Sequence, residues 1–310
     1  MSERATVHIP VLRDPILDAV RELAPRAIAD GTLGGGGHAL ALAQLLKPGS
    51  TMFAVDRDPE AVTRFESLRA ELVSQAGAES DVPSVEWRVS CGSYEQLPQV
   101  VHEAGGPELD AILLDLGLSS DQLADESRGF SFKADGPLDL RFNPDEGEPA
   151  WRLLERLPEA ELADILYQFG DERFSRRIAK QIVLRRRGDA VRTAGELRDL
   201  IRRCVPGGRH GRIDPATRSF QALRIAVNDE LQILQRSMQS LPQSLRIGGL
   251  LLVISFHSLE DRIVKNAFRE HELLQVVTKK PIVADDRETR QNSRSRSAKL
   301  RIATRIAASD

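Results

Sequence analysis

The chain has 310 residues, of which 41% are hydrophobic and 29% charged, and its formal net charge is −3. This composition is ordinary for a globular protein and excludes disorder along the whole chain. The two cysteines, Cys91 and Cys204, are too few for a disulfide framework or a cysteine-rich zinc site, so we expect no metal. No apolar stretch is long enough to cross a bilayer, and the N-terminus lacks the apolar core of a signal peptide. We therefore expect a reduced, cytoplasmic protein with no membrane partner.

The lysines and arginines are concentrated in two segments. Residues 173–212 contain 13 of them against 3 acidic residues, and residues 287–305 contain 7 against 1. Such basic segments in an otherwise acidic chain favour a polyanionic partner, although solvated helix faces are also rich in charge. We prefer the polyanion because the first segment has a net charge of +10 within forty residues.

Five short apolar runs have the length and composition of buried strands: residues 27–30, 51–56, 85–89, 111–115 and 250–255. Helical patterns alternate with the early runs. One covers residues 39–46, and another begins at Asp58 and Pro59, which are typical of an N-cap and a first helical turn. This alternation predicts an α/β fold, in which a parallel sheet is covered by helices on both faces.

The interval between the fourth and fifth predicted strands is much longer than the others and contains helical patterns. Helices are predicted over residues 158–170 and after the capping box of Thr193 and Glu196. A helix between these two has five basic residues opposite its apolar stripe: Arg173, Arg176, Arg177, Lys180 and Arg187.

The same interval ends with a long predicted helix that begins at Asp214, includes Leu234 and leads back to the sheet. We therefore divide the chain into two domains. The first is discontinuous, residues 1–120 and 214–310, and the second is a helical insertion, residues 121–213.

A glycine-rich turn, from Asp30 to His38, follows the first predicted strand and opens a helix, and Asp56 ends the second strand. Ligands of open parallel sheets bind outside the carboxyl ends of the strands, where glycines allow close approach and an acidic side chain accepts hydrogen bonds from ribose. Two cofactors need this arrangement: a nicotinamide dinucleotide, whose loose fingerprint fits residues 34–39, and S-adenosylmethionine. A tight turn without a ligand is the third reading. The turn by itself leaves both cofactors open.

Two more side chains lie at predicted strand ends. Tyr94 follows the third strand, where an aromatic ring could lie against adenine, and Asp115 ends the fourth. Each also has a structural reading, Tyr94 as a core aromatic and Asp115 as a turn or helix cap. Together with the glycine-rich turn and Asp56, they would surround one crevice at the carboxyl edge of the sheet.

Long sequence blocks resemble those of the bacterial ribosomal RNA small subunit methyltransferase H family, also called MraW, over nearly the whole chain. The blocks are HIPVL (8–12), DGTLGGGGH (30–38), DRDP (56–59), LLDLGLSS (113–120), RGFSF (128–132) with DGPLD (135–139), ATRSFQALRI (216–225) and ISFHSLEDRIVK (254–265). The resemblance implies a class I methyltransferase with a Rossmann-like sheet and a helical insertion, and S-adenosylmethionine as its cofactor. It also implies the substrate, the N4 amine of a cytidine in 16S rRNA of the small ribosomal subunit, which the insertion would recognise.

The resemblance further implies which residues contact the cofactor. Carried over by motif position, they are Gly36, Gly37, His38, Asp56, Tyr94, Asp115 and Gln122. Tyr94 stands where members of the family often have phenylalanine. The sequence leaves open whether the protein is a monomer or a homodimer.

The resemblance does not identify the group that accepts the N4 protons. Ser255 and His257, at the end of the fifth predicted strand, are candidates, although the preferred reading of His257 is a cap for the helix that begins near Ser258. Methylation at carbon 5 of cytosine would need a nucleophilic cysteine, and neither Cys91 nor Cys204 is well placed.

Two other functions compete with the methyltransferase. A nicotinamide-dependent dehydrogenase shares the glycine-rich turn but not the later sequence blocks. A non-catalytic RNA-binding assembly factor with a vestigial cofactor pocket would share all the blocks and differ in having no turnover. The combined blocks favour the methyltransferase.

Overall fold

The computed structural model describes residues 10–76, 85–131, 135–206 and 214–308. Parts of three sequence features lie outside these ranges: His8 and Ile9 of the first block, Phe132 of the fifth, and residues 207–212 at the end of the first basic segment. The chain folds into two compact units. The first consists of Met1–Leu118 and Gln232–Asp310, and the second of Ser119–Leu231.

A single sheet forms the centre of the first unit. Among the described residues its strands are β1 (Ala27–Asp30), β2 (Thr51–Asp56), β3 (Glu86–Cys91), β4 (Leu109–Asp115), β5 (Leu245–Ser255), β6 (Leu274–Val276) and β7 (Lys299–Arg305). Their order is β3-β2-β1-β4-β5-β7-β6. The first five strands are parallel, and β7 runs antiparallel to both β5 and β6. The predicted parallel sheet is confirmed, and β6 and β7 are additions that the sequence patterns did not predict.

Helices connect the strands and form the second unit. They are α1 (Arg13–Arg21), α2 (Gly37–Ala43), α3 (Pro59–Ala76), α4 (Leu97–Glu103), α5 (Ser120–Ala124), α6 (Ala150–Arg156), α7 (Glu159–Gly170), α8 (Ser175–Arg185), α9 (Ala194–Cys204), α10 (Ala216–Asn228), α11 (Glu230–Ser240), α12 (Ser258–Glu270) and α13 (Asp286–Gln291). Helices α5 to α10 lie in the second unit. No helix in the described ranges has the length and apolar character needed to span a membrane.

The sheet has an apolar core on each face, because successive side chains of a strand point to opposite sides. Met52 and Leu113 pack on one face, where Phe65 of α3 also lies. Phe53 and Leu114 pack on the other face, together with residues of α11 and α12. Burial on both faces explains why the parallel strands are continuous apolar runs in the sequence.

The prediction of one long helix from Asp214 is wrong in one respect, because the chain forms two helices there, α10 and α11. Asp229 between them is in the left-handed region at φ 53°. The buried side chain of Asn228 donates hydrogen bonds to the carbonyl oxygens of Leu140 and Arg224, and Arg224 donates two more to the carboxylate of Glu230. These polar contacts fix the break, although the apolar spacing of the sequence continues through it.

The boundaries of the two units follow the packing of α10. The sequence division placed residues 214–231 with the first domain, whereas contacts in the structure group them with the second unit. At Gly170 of α7 an added Cβ would lie 2.4 Å from the carbonyl oxygen of Arg218 in α10. The glycine therefore allows the two helices to pack backbone to backbone.

Candidate active site

Three aspartates end neighbouring strands at the carboxyl edge of the sheet. Asp30 ends β1, Asp56 ends β2 and Asp115 ends β4. The strand order reverses between β1 and β4, which is the point where open α/β sheets bind their ligands. The sequence analysis singled out Asp56 and Asp115 but not Asp30, although all three follow the same rule of a strand-end carboxylate.

The three carboxyl groups have raised pKa values because burial, complete for Asp30 and partial for Asp56 and Asp115, removes much of their hydration. Burial raises the pKa of Asp30 to about 7, and the repulsion from Asp115 and Asp56 adds to this increase. Burial also raises the pKa of Asp56 and of Asp115 to about 6. Such a cluster favours a cationic ligand, because positive charge would relieve the cost of burying the carboxylates.

Asp30 supplies a direct test of whether the predicted cofactor fits. Its Oδ2 atom is buried and accepts no hydrogen bond from the part of the chain that the structure describes. Its Oδ1 atom accepts from the backbone N–H of Thr32 at 3.0 Å. When it is ionised, a buried carboxylate oxygen of this kind requires a hydrogen-bond donor or a nearby cation. S-adenosylmethionine carries both, an ammonium group that donates and a sulfonium that is positively charged. The residues present therefore fit this cofactor.

The glycine-rich turn is held by Asp56. Its Oδ2 accepts a hydrogen bond from the N–H of Gly34 at 2.6 Å, and its Oδ1 accepts from the N–H of Asp58 at 2.8 Å. Gly36 has φ 76°, and a Cβ added there would lie 2.3 Å from the ring of Phe65. Asp56 therefore shapes the turn, and each of its oxygens keeps a lone pair for a ribose hydroxyl.

Thr32 joins the ends of β1 and β4. Its backbone N–H donates to Asp30, and its hydroxyl oxygen accepts from the N–H of Asp115 at 2.6 Å. His38, in the first turn of α2, is 7% exposed, and its Nε2 lies 3.7 Å from Oδ2 of Asp115. The glycine-rich turn thus places His38 beside the carboxylate of the neighbouring strand, as the common edge predicts.

Tyr94 lies beside Gly31, near the start of the glycine-rich turn. It begins a 3-10 helix, Tyr94–Gln96, that is capped by the side chain of Ser93. A Cβ added at Gly31 would lie 2.8 Å from Cβ of Tyr94, so the two residues are in close contact. Gly31 therefore allows the half-buried Tyr94 to approach the glycine-rich turn.

The remaining two cofactor residues implied by the resemblance occupy different places. Gly37 begins α2 directly after Gly36. Gln122 belongs to the second unit, where its Oε1 accepts from the N–H of Ser119 and its own N–H donates to the hydroxyl of Ser119. This capping box fixes the orientation of Gln122, and its contact with the cofactor stays a prediction.

The two weak candidates for the N4 acceptor have local structural partners. Ser255 is 2% exposed, and its hydroxyl donates to the carbonyl oxygen of Lys299 at 3.5 Å. His257 is the N-cap of α12, where its Nδ1 accepts from the N–H of Glu260. Nε2 of His257 lies 3.0 Å from Oε1 of Glu260. The preferred reading of His257 as a helix cap therefore agrees with its geometry.

Comparison with known proteins identifies the family. Residues 5–306 match the MraW methylase family. The chain belongs to this family. Three relatives, each named ribosomal RNA small subunit methyltransferase H, come from Rhodopirellula baltica, Acidobacterium capsulatum and Synechococcus sp. strain CC9605 and are 50%, 46% and 47% identical to it. The aligned parts cover 98%, 96% and 97% of this chain and 93%, 97% and 98% of those relatives.

Membership of the MraW methylase family confirms three predictions at once. The sequence predicted the family itself and the class I methyltransferase fold with its Rossmann-like sheet. It also predicted an S-adenosylmethionine-dependent methyltransferase activity. The nicotinamide reading of the glycine-rich turn is set aside. In this member of the family the turn, Asp56 and Tyr94 lie together at one edge, as a cofactor that contains adenosine requires.

Replacing Asp56 by alanine is expected to weaken cofactor binding. Losing a charge-assisted hydrogen bond to ribose costs about 1.5–3 kcal/mol, which corresponds to a roughly 10- to 100-fold higher Kd. Isothermal titration calorimetry with S-adenosylmethionine measures this change, and a Kd equal to that of the parent protein would rule out the ribose contact.

A matched control is needed because Asp56 also holds Gly34. Asp110 is a buried aspartate at the opposite edge of the sheet, and its Oδ2 accepts from the backbone N–H groups of Arg26 and Ala27 at 2.7 and 2.9 Å. Asp110→Ala should lower the Tm and leave the Kd for the cofactor unchanged. Asp56→Asn retains an oxygen for Gly34 and should weaken binding less than Asp56→Ala.

Proposed function

We propose that this protein transfers the methyl group of S-adenosylmethionine to the N4 amine of a cytidine in 16S rRNA of the small ribosomal subunit. The observation that carries this proposal is the cluster of Asp30, Asp56 and Asp115 beside the family's glycine-rich turn, at the edge where the strand order reverses. Names of the relatives support the choice of rRNA. A ribosomal substrate would place the protein in the cytoplasm.

Within this proposal the chain binds the cofactor by three kinds of contact. Asp56, which already holds Gly34, would accept hydrogen bonds from ribose, Tyr94 beside Gly31 would lie against adenine, and the unpartnered Oδ2 of Asp30 would bind the cationic amino-acid part. Bound S-adenosylmethionine supplies the methyl group, since N4 bonds to the methyl carbon while the carbon–sulfur bond breaks with its electron pair going to sulfur. The contribution of the protein is positioning, which supplies most of the rate of such an in-line transfer.

Asp115 is the residue that we propose as acceptor of the N4 proton. The exocyclic amine of cytosine is a weak nucleophile because its lone pair is conjugated with the ring. A carboxylate that accepts an N4–H bond favours a pyramidal nitrogen and takes the proton that the methylated nitrogen loses. The side chain of Asp115 is 16% exposed at the end of β4, whereas Ser255 is buried and His257 is bound to Glu260.

The RNA-binding surface that we propose is the basic face of the second unit, defined as Arg173, Arg176, Arg177, Lys180 and Arg187. All five side chains are exposed. Neighbouring arginines are ion-paired, as in the pairs of Arg185 with Asp189 and Arg202 with Asp214. No ion pair involves the five residues of the basic face within the described ranges, so their charge is available to phosphates.

The cytosine that is methylated must be unstacked from its neighbouring bases to reach Asp115. Unstacking costs a few kcal/mol and least for a base that is already unpaired, so the target is an exposed cytidine of the small subunit. Small subunits that lack the modification, incubated with the protein and isotopically labelled cofactor, test the reaction. Nucleosides from the digested RNA are then analysed by mass spectrometry.

The expected product of that experiment is labelled N4-methylcytidine. Label confined to 5-methylcytidine or to ribose methyl groups would overturn the proposal. No label, together with cofactor binding in the micromolar range, would instead support the non-catalytic assembly factor. Naked 16S rRNA, tested in parallel, shows whether the assembled subunit is required.

A further inference from the structure

The antiparallel direction of β7 brings a basic segment to the carboxyl edge of the sheet. Lys299, the first residue of β7, pairs with Ser255, the last residue of β5. Asp115 at the end of β4 pairs with Ile254 of β5. The residues that precede Lys299 therefore lie at the edge where Asp115 lies, and they form the 3-10 helix Ser293–Ser297.

The backbone of this 3-10 helix is fixed by its own polar contacts. Oδ1 of Asn292 accepts from the N–H of Arg294 at 3.2 Å, and the buried hydroxyl of Ser295 donates to the carbonyl oxygen of Asn292 at 2.8 Å. Ala298, buried in the sheet core, anchors the end of the segment. Arg294 is half-buried, whereas Arg296 in the same helix is exposed. The two arginines therefore have different environments despite their proximity in sequence.

The carboxylate of Asp115 interacts electrostatically with charged groups from four elements. Asp30 lies on β1, His38 on α2, Glu260 on α12 and Arg294 on the 3-10 helix. Glu260 adds negative charge, Asp30 does so only when it is ionised, and His38 is positive only when it is protonated. The guanidinium of Arg294 is therefore the permanent positive charge of this group, and it lowers the pKa of Asp115 against the larger effect of burial.

We propose that Arg294 is a positioning residue for methyl transfer, which keeps the carboxylate of Asp115 ionised and oriented toward the N4 amine of the substrate. This inference rests on the proposed function, in which Asp115 accepts the N4 proton. An ionised carboxylate accepts that proton, whereas a protonated one cannot. The 3-10 helix thus completes the catalytic environment from a part of the chain remote in sequence.

The variant Arg294→Gln tests the proposal through the pH dependence of the reaction. Without the guanidinium, the pKa of Asp115 rises, so the acid limb of the kcat/KM profile moves to higher pH. The variant should therefore have a several-fold lower kcat/KM near pH 5–6 and a nearly unchanged kcat/KM near pH 9. Arg294→Lys keeps a positive charge and should restore most of the profile. Arg296→Gln removes the same charge from an exposed neighbour and should leave the position of the limb unchanged.

A second measurement separates this inference from the proposed function. The titration of the Asp115 carboxyl, followed by ¹³C NMR in the full-length protein without substrate, should move to higher pH in Arg294→Gln and return in Arg294→Lys. An unchanged titration overturns the inference even if the parent protein produces N4-methylcytidine. A loss of activity that is equal at every pH also overturns it, because it would indicate an RNA contact or a folding defect.

Discussion

Replacing Asp115 by asparagine is expected to lower kcat for N4 methylation by about 10²- to 10⁴-fold, the usual contribution of a general base. Asparagine has nearly the same shape and can still accept one hydrogen bond, but its amide does not take a proton at neutral pH. In the parent protein, kcat/KM should rise with pH through about 6, because the carboxylate is the active form and burial raises its pKa to about 6. Multiple-turnover measurements at saturating cofactor and saturating small subunits give kcat, and single-turnover measurements give the rate of the chemical step.

Two comparisons make this experiment decisive. If Asp115→Asn raises the Kd of S-adenosylmethionine and leaves kcat at saturation unchanged, Asp115 is a cofactor ligand and not the proton acceptor. His257→Asn retains a residue that caps helices well, and Ser255→Ala removes only a hydroxyl. Both variants should keep most of the activity. A larger loss in either of them than in Asp115→Asn would move the acceptor to the end of β5.

Replacing Arg176, Arg177 and Lys180 of the basic face by glutamate is expected to abolish tight binding of the small subunit. Each lost phosphate contact lowers the slope of log K against log salt by about 0.7–0.9, so the slope should fall by roughly 2–3. Filter binding or fluorescence anisotropy over a range of salt concentrations measures both the affinity and the slope. Cofactor affinity, measured by calorimetry, should not change.

The matched control carries the same change in net charge at another surface. Arg26, Lys47 and Arg269 are exposed. Arg26 and Lys47 precede β1 and β2, and Arg269 lies in the last turn of α12. Their replacement by glutamate should leave the salt slope unchanged. Equal losses of RNA affinity in the two triple variants would show that only net charge matters. An unchanged salt slope in the variant of the basic face would place the RNA elsewhere, and residues 287–305 would be the next surface to test.

The central strands were predictable because burial on both faces leaves a clear pattern. The runs at 27–30 and 51–56 coincide with β1 and β2. Strand β7 was missed because Lys299, Arg301 and Arg305 interrupt the continuous apolar run by which the other strands were recognised. In the structure Asp261 of α12 pairs with Lys299 and Arg301, at 3.2 and 2.7 Å. No local pattern indicates a partner so distant in the chain.

Site residues at strand ends could be predicted from the sequence. Contacts that depend on the pairing of distant strands could not. The strand-end rule found Asp56 and Asp115, and applied consistently it would also have found Asp30. The double role of Asp56, which holds Gly34 as well as offering a ribose contact, depends on a hydrogen bond across 22 residues. The proximity of Arg294 to Asp115 follows from the antiparallel pairing of β7 with β5, which the sequence does not display.

The discontinuous composition of the first unit has a kinetic consequence. β4 and β5 are neighbours in the sheet, yet the whole second unit lies between them in the chain. During synthesis β4 emerges long before its partner, and its apolar residues and backbone groups stay without that neighbour until the second unit has been made. Such non-local pairing slows folding, because a long loop must close before its contacts stabilise the chain. Refolding from denaturant should therefore be limited by the joining of these two strands, and β4 is the segment most exposed to aggregation in the meantime.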